Sequence, residues 1–222
     1  MKSKSLKIAL VLNIIIVLFT ILALIMMFNG IKISNGYEPV VEKTSISMFK
    51  LFTVDSNLLM GIVALIFVIL EYQILKGTRK DISKNMYILK LMATTAVGLT
   101  FFVVFVYLGP ISKGGILSML RNSNFFLHLI VPVLSIITFI FFEKNDKLKF
   151  RYVFCGLIPT LFYGVFYIIN ILIHMENYKV SPIYDWYWFV QNGVWTAVIV
   201  APFIVLITYG ISFTLWKINK TK

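Results

Sequence analysis

Long apolar runs constrain this chain more than any other feature. A run of about 20 apolar residues can cross a bilayer core of roughly 30 Å, where no water is present to pair backbone groups. Such a segment must close its own hydrogen bonds, and the helix does that. Six runs qualify, roughly Ile8–Phe28, Ser47–Leu75, Tyr87–Leu108, Phe125–Phe142, Tyr152–His174 and Phe189–Trp216. The expected fold is therefore all-α, a multi-pass bundle of six transmembrane helices forming one domain over residues 1–222 in the plasma membrane. Composition excludes the main rival, since 14% of residues are charged and 59% hydrophobic, against about 25% charged in soluble domains. The longest loop, from Asn29 to about Ile46, is too short for a soluble domain. Lys2, Lys4 and Lys7 ahead of the first run resemble the start of a signal peptide. That run is too long for one, and no A-x-A site follows Phe28, so a retained anchor is expected.

The net charge of +12 on so apolar a chain needs placing. Of 21 basic residues, 15 fall on the side of the N-terminus: Lys2, Lys4, Lys7, Lys76, Arg79, Lys80, Lys84, Lys90, Lys144, Lys147, Lys149, Arg151, Lys217, Lys220 and Lys222. The other 6 are Lys32, Lys43, Lys50, Lys113, Arg121 and Lys179. The positive-inside rule then puts both termini in the cytoplasm. Glu38, Glu42, Glu176 and Asp185 offset the outer charge. The basic residues thus read as a topology signal and a grip on anionic lipid headgroups at the cytoplasmic loops. Nucleic acid is not an expected partner, because the basic clusters are short loops at helix ends.

Polar side chains at membrane depth are costly unless partnered, so they mark the bundle interior or a cavity. In the second run, Thr53 and Asn57 stand four residues apart on one face, continued by Gly61 and Ala64. Asp55 is turned about 200° from Thr53 and serves another contact. The fourth run opens with Asn122-Ser123-Asn124, a capping cluster, and carries His128 four residues before Pro132. That proline removes a helix hydrogen bond and invites a kink. On the fifth run Gly156, Pro159 or Thr160, Tyr163, Tyr167, Asn170 and His174 form one polar and aromatic stripe, which must face protein or water. The sixth opens with Trp186, Trp188, Gln191, Asn192 and Trp195, where the tryptophans read as interfacial anchors. Asn13, Thr20, Thr94, Thr95 and Thr100 are scattered and expected to bond their own helices. The polar groups converge in the outer half of the membrane, which points to a cavity there.

A threonine hydroxyl becomes a nucleophile when a base removes its proton, and histidine is the usual base at neutral pH. Thr53 and His128 at one depth could supply that pair, with Asn57, Asn170 or Tyr163 donating to a developing oxyanion. The same residues could equally be helix–helix bonds. Two histidines without HxxH spacing and a single cysteine, Cys155, make a poor ligand set, so no metal or other cofactor is expected. Transport finds no inverted repeat and no central acidic relay in the sequence.

Four segments carry a family resemblance: Leu51-Phe52-Thr53-x-x-Ser56-Asn57-Leu58-Leu59, then His128-x-x-x-Pro132, then Pro159-x-x-x-Tyr163-x-x-x-Tyr167, then Pro182-x-Tyr184-Asp185. On these, the chain resembles the androgen-induced protein family of six-helix membrane proteins, which includes the androgen-dependent regulator of tissue factor pathway inhibitor, and in particular its bacterial relatives. The resemblance spans runs two to six in order. It implies a threonine hydrolase of fatty-acid esters of hydroxy fatty acids, with Thr53 as nucleophile, His128 as the essential histidine, and a lipid as substrate. Ser56, Asn57, Tyr163, Tyr167, Asn170 and Asp185 are then expected around the substrate or its oxyanion. The alternative is a non-catalytic membrane protein that binds a lipid or small molecule, or a transporter.

Overall fold

A computed structural model of the chain describes residues 3–33, 45–112, 114–177, 179–190 and 193–220. Among the charges placed above, Lys2, Glu38, Glu42, Lys43, Lys113 and Lys222 lie outside the described residues, as do Gln191 and Asn192. Six helices among the described residues are long and apolar enough to cross a membrane: α1 Ser3–Phe28, α2 Phe52–Leu75, α3 Lys84–Ile111, α4 Ser123–Phe142, α5 Phe150–Ile173 and α6 Trp195–Lys220. A two-residue hairpin, β1 Met175–Glu176 against antiparallel β2 Lys179–Val180, follows α5.

The boundaries depart from the apolar runs in two places, each for a local reason. The second run was expected to start near Ser47, but Ser45–Lys50 coils more tightly as a 3-10 turn. Leu51 is then extended, with φ −94° and ψ 125°, and resets the helix start. The sixth run was expected from Phe189, but Asp185 binds that segment into a loop and the helix begins six residues later.

Helix α3 is the most enclosed of the six, and α5 and α6 the least. Lipid is no less apolar than leucine, so close approach of small residues decides which helices touch. Every residue from Ala93 to Thr100 is buried, a run rich in Ala, Thr and Gly. The α1–α2 contact is similarly close, since a Cβ on Gly61 would lie 2.7 Å from Thr20 Cγ2. A Cβ on Gly156 would lie 2.2 Å from Ser212 Oγ, which makes α5 against α6 a small-residue contact as well.

Two helices widen locally. Val103–Leu108 in α3 and both Phe126–Ile130 and Thr138–Phe142 in α4 close i→i+5 turns. At Phe126–Ile130 the cause lies in Pro132, which has no N–H to give and clashes with a normal preceding turn. Val131 N–H reaches back to Phe126 O, one residue further than in an α-helix. His128 thus sits in a wide turn, a geometry that recurs at functional sites.

The ends of the bundle differ. Ser5 at the start of α1 donates to Phe142 O at the end of α4 (3.0 Å), and Asn219 near the end of α6 donates to Glu143 O (3.1 Å). The start of α1 and the end of α6 therefore lie at one end of the bundle, called the termini end below. The opposite, loop end carries the start of α2, the start of α4 and the α5–α6 connection.

Candidate functional site

At the loop end one amide ties the Thr53 turn to the His128 turn. Asn57 Nδ2 donates to Thr53 O (2.7 Å) in its own helix and to Leu127 O (3.0 Å) in α4. Carbonyls only accept, so both amide hydrogens are committed and the orientation of the amide is fixed. Around this bridge, Val54, Met48, Leu127 and Ala23 form a buried apolar cluster. Ser56 Oγ donates to Thr53 O (3.1 Å) and meets Thr100 Oγ1 at 3.2 Å, linking α2 to α3. The Thr53 side chain is half-buried and takes no hydrogen bond from any described residue.

His128 is buried, and its Nδ1 lies 2.9 Å from Met119 O in the short α3–α4 connection. Because that carbonyl can only accept, Nδ1 carries the proton. Nε2 is left with a lone pair and no hydrogen-bond partner among the described residues, the tautomer a general base needs. No hydrogen bond joins His128 to Thr53 among the described residues. What the fold brings together is their backbones, through Asn57 and Leu127.

The remaining expected site residues are spent on the chain itself. Asn57 keeps only its Oδ1 free, buried and without a partner, so it has no N–H for an oxyanion. Tyr163 OH donates to Lys50 O and accepts from Trp186 Nε1 (3.0 Å). Asn170 Nδ2 donates to Tyr184 O (2.7 Å), and the His174 ring stacks on Tyr184 with centroids 3.6 Å apart. Tyr167 OH donates to Asp185, whose carboxylate also accepts from Phe189 N and Val190 N, both at 2.9 Å. The α5 stripe therefore faces protein, clasping the 182–190 loop over the loop end. Tyr187 closes the clasp by accepting from Phe52 N (2.9 Å), and burial pushes its hydroxyl up to about 12.

Two smaller expectations need correcting. Asn122 does not cap α4 with its side chain; it has φ 52° and its Oδ1 accepts from Ile33 N (2.8 Å) across the α1 connection. Trp186 is half-buried against Tyr163 and Tyr167, whereas Trp188 and Trp195 are exposed. Thr20, Thr94 and Thr95 do not bond their own helices, since each Oγ1 is buried without a partner.

The largest omission of the sequence reading lies at the termini end. Asn13 was expected to bond its own helix; instead it is the hub of a buried charge cluster. Its Nδ2 donates to Glu71 Oε2 (3.0 Å) and Glu143 Oε1 (2.8 Å), and its Oδ1 accepts from Lys90 Nζ (2.6 Å). Lys90 Nζ also pairs with Glu143 Oε1 at 2.9 Å and lies 4.5 Å from the Phe67 ring centroid. All four side chains have zero exposure. Lys90, counted above as a topology charge, is therefore an interior residue. One signal was present: Glu71 stands near the C-terminal end of an apolar helix, where the dipole disfavours an anion.

Among the described residues, no group of three or more His, Cys, Asp or Glu is placed to hold a metal. Compared with known proteins, the chain matches no family model, no curated protein and no solved structure.

Proposed function

We propose that the chain is a plasma-membrane hydrolase of lipid esters, working on a fatty-acid ester of a hydroxy fatty acid or a close analogue. Thr53 is the nucleophile and His128 the base. The observation that carries this reading is the tautomer of His128: Met119 O holds the proton on Nδ1, so Nε2 is left as an acceptor. Asn57 serves as the positioning residue, tying the Thr53 turn to Leu127 beside that histidine.

In the reaction, Thr53 Oγ1 attacks the ester carbonyl carbon while Nε2 takes its proton. The tetrahedral intermediate collapses with cleavage of the C–O bond, and the imidazolium returns the proton to the leaving alcohol. Water then repeats the sequence on the acyl-threonine, releasing the fatty acid and restoring Thr53. Acid–base pairs of this kind tighten when substrate is present, so they need not touch in its absence. The acyl chains would lie along the apolar faces of the surrounding helices, and the termini would face the cytoplasm, where the basic loops meet anionic headgroups.

The test is turnover of lipid esters by the purified chain, with a hydrolase-directed covalent probe in parallel. Thr53→Ala and His128→Ala should each lose about 10²–10⁴-fold in rate, and Thr53→Ala should lose probe labelling while keeping the wild-type unfolding temperature. Equal labelling of Thr53→Ala and wild type would exclude the nucleophile. Retention of an intact ester by a wild type that never cleaves it favours the binding-protein reading instead, in which Thr53 and His128 contact a headgroup.

A further inference from the structure

The termini-end cluster holds three ionisable side chains with no access to water: Glu71 of α2, Lys90 of α3 and Glu143 at the end of α4. Ionised together they sum to one negative charge. An uncompensated charge in the interior is strongly unfavourable even after relaxation. Hydrogen bonds do not remove that cost here. Glu71 Oε1 and Glu143 Oε2 are both buried without a partner, while the other oxygen of each carboxylate is bound to Asn13. Covalent geometry keeps each free oxygen inside the cluster, so one positive charge is missing at a defined place.

Two species could supply it, a proton or a small monovalent cation. A cation needs a shell of several oxygens, and the cluster offers two free ones, because Asn13 Oδ1 is already taken by Lys90. A proton needs one. We infer that the Asn13–Glu71–Lys90–Glu143 cluster is a proton-binding site, in which the folded chain carries one proton on the Glu71–Glu143 pair at neutral pH. The bond formed is O–H on one carboxylate; the proton comes from water at the termini end. Glu143 closes α4 at the edge of the bundle, where the half-buried Asn145 two residues on donates its Nδ2 to Glu143 O (3.3 Å) and to Asn219 Oδ1 (3.1 Å). The titratable groups around the site are Glu143, Lys90 and Tyr87, with Asp81 and Asp146 further out in the loops. The site is independent of Thr53 and His128, and its failure would leave the hydrolase reading untouched.

The test is infrared spectroscopy of the full purified chain at neutral pH, unlabelled and labelled with ¹³C-glutamate. A carboxylic-acid C=O band that moves on glutamate labelling is expected in wild type. Either Glu71→Gln or Glu143→Gln should abolish it, because each leaves a single carboxylate balanced by Lys90. A band that survives in either variant overturns the proposal. So does a wild-type spectrum without a glutamate-shifted band, which needs no variant. In that last case, an unfolding temperature higher in sodium chloride than in choline chloride at equal ionic strength assigns the missing charge to sodium.

Discussion

The two ends of the bundle both bury polar groups, yet they are built in opposite ways. At the loop end, the bonds that hold the 182–190 loop to α5 join residues close in sequence, Tyr167 to Asp185 and Asn170 to Tyr184, with one carboxylate satisfied mainly by neighbouring backbone amides, and only Tyr163 and Tyr187 reach back to the distant start of α2. At the termini end, Asn13 meets Glu71, Lys90 and Glu143, partners 58, 77 and 130 residues away, and three of the four side chains are ionisable. Short-range clasps fix a loop; long-range charge clusters fix which helices stand next to which. Energy follows the same division, because an unpaired charge in the interior costs more than a lost hydrogen bond.

The sharpest way to break this contrast is at Lys90. Lys90→Met removes the one cation among two buried carboxyls and should destabilise the bundle by about 3–5 kcal/mol. Thermal unfolding of the purified chain reads the loss, and adding Glu143→Gln to Lys90→Met should recover much of it. A Lys90→Met protein as stable as wild type would show that the cluster holds nothing together.

At the loop end the corresponding change is smaller and local. Asp185→Ala strands the donors of Tyr167, Phe189 and Val190, worth about 2–3 kcal/mol of local opening. Backbone hydrogen exchange should accelerate over residues 186–190 while α1–α3 stay as protected as before. If α1–α3 exchange faster as well, the clasp is coupled to the whole bundle and the contrast between the ends fails.

The smallest effect is expected on the surface beyond the cluster. Lys147 Nζ bonds the exposed Asp81 carboxylate at 2.6 Å and also Ile82 O at 2.6 Å. The lysine holds the Asp81 carboxyl below its ordinary value of 3.8. Its contribution is therefore complete above that pH and lost as the pH falls through the lowered value. Water screens an exposed pair, so Asp81→Asn should leave the unfolding temperature within error at neutral pH. A clear drop would mean that this loop ion pair shares in the interior network.

Legibility in the sequence tracked locality. All six membrane-length helices were readable as apolar runs, because backbone satisfaction in hydrocarbon is a property of each segment alone. Thr53–Asn57 and the α5 stripe were readable as faces, since helical spacing puts them there whatever lies opposite. What lay opposite was not readable. Tyr163, Tyr167 and Asn170 have the same spacing whether they line a cavity or hold a loop, and the structure gives them to the loop. Glu71, Lys90 and Glu143 each stand singly within two turns of a helix end, and apart from the unfavourable dipole at Glu71 only their convergence on Asn13 makes them unusual.

By itself, then, the sequence determined that this chain makes six apolar helices, with polar residues turned to particular faces. Hydrophobic length and helical period act over a few turns and need no partner. Tertiary structure alone decided which polar groups meet: that Asn57 bridges the Thr53 and His128 turns, that Asp185 closes the clasp, and that two glutamates and a lysine share Asn13. The physical reason is that a buried polar group is judged by what satisfies it, and here the partners in the charge cluster stand 58 to 130 residues apart.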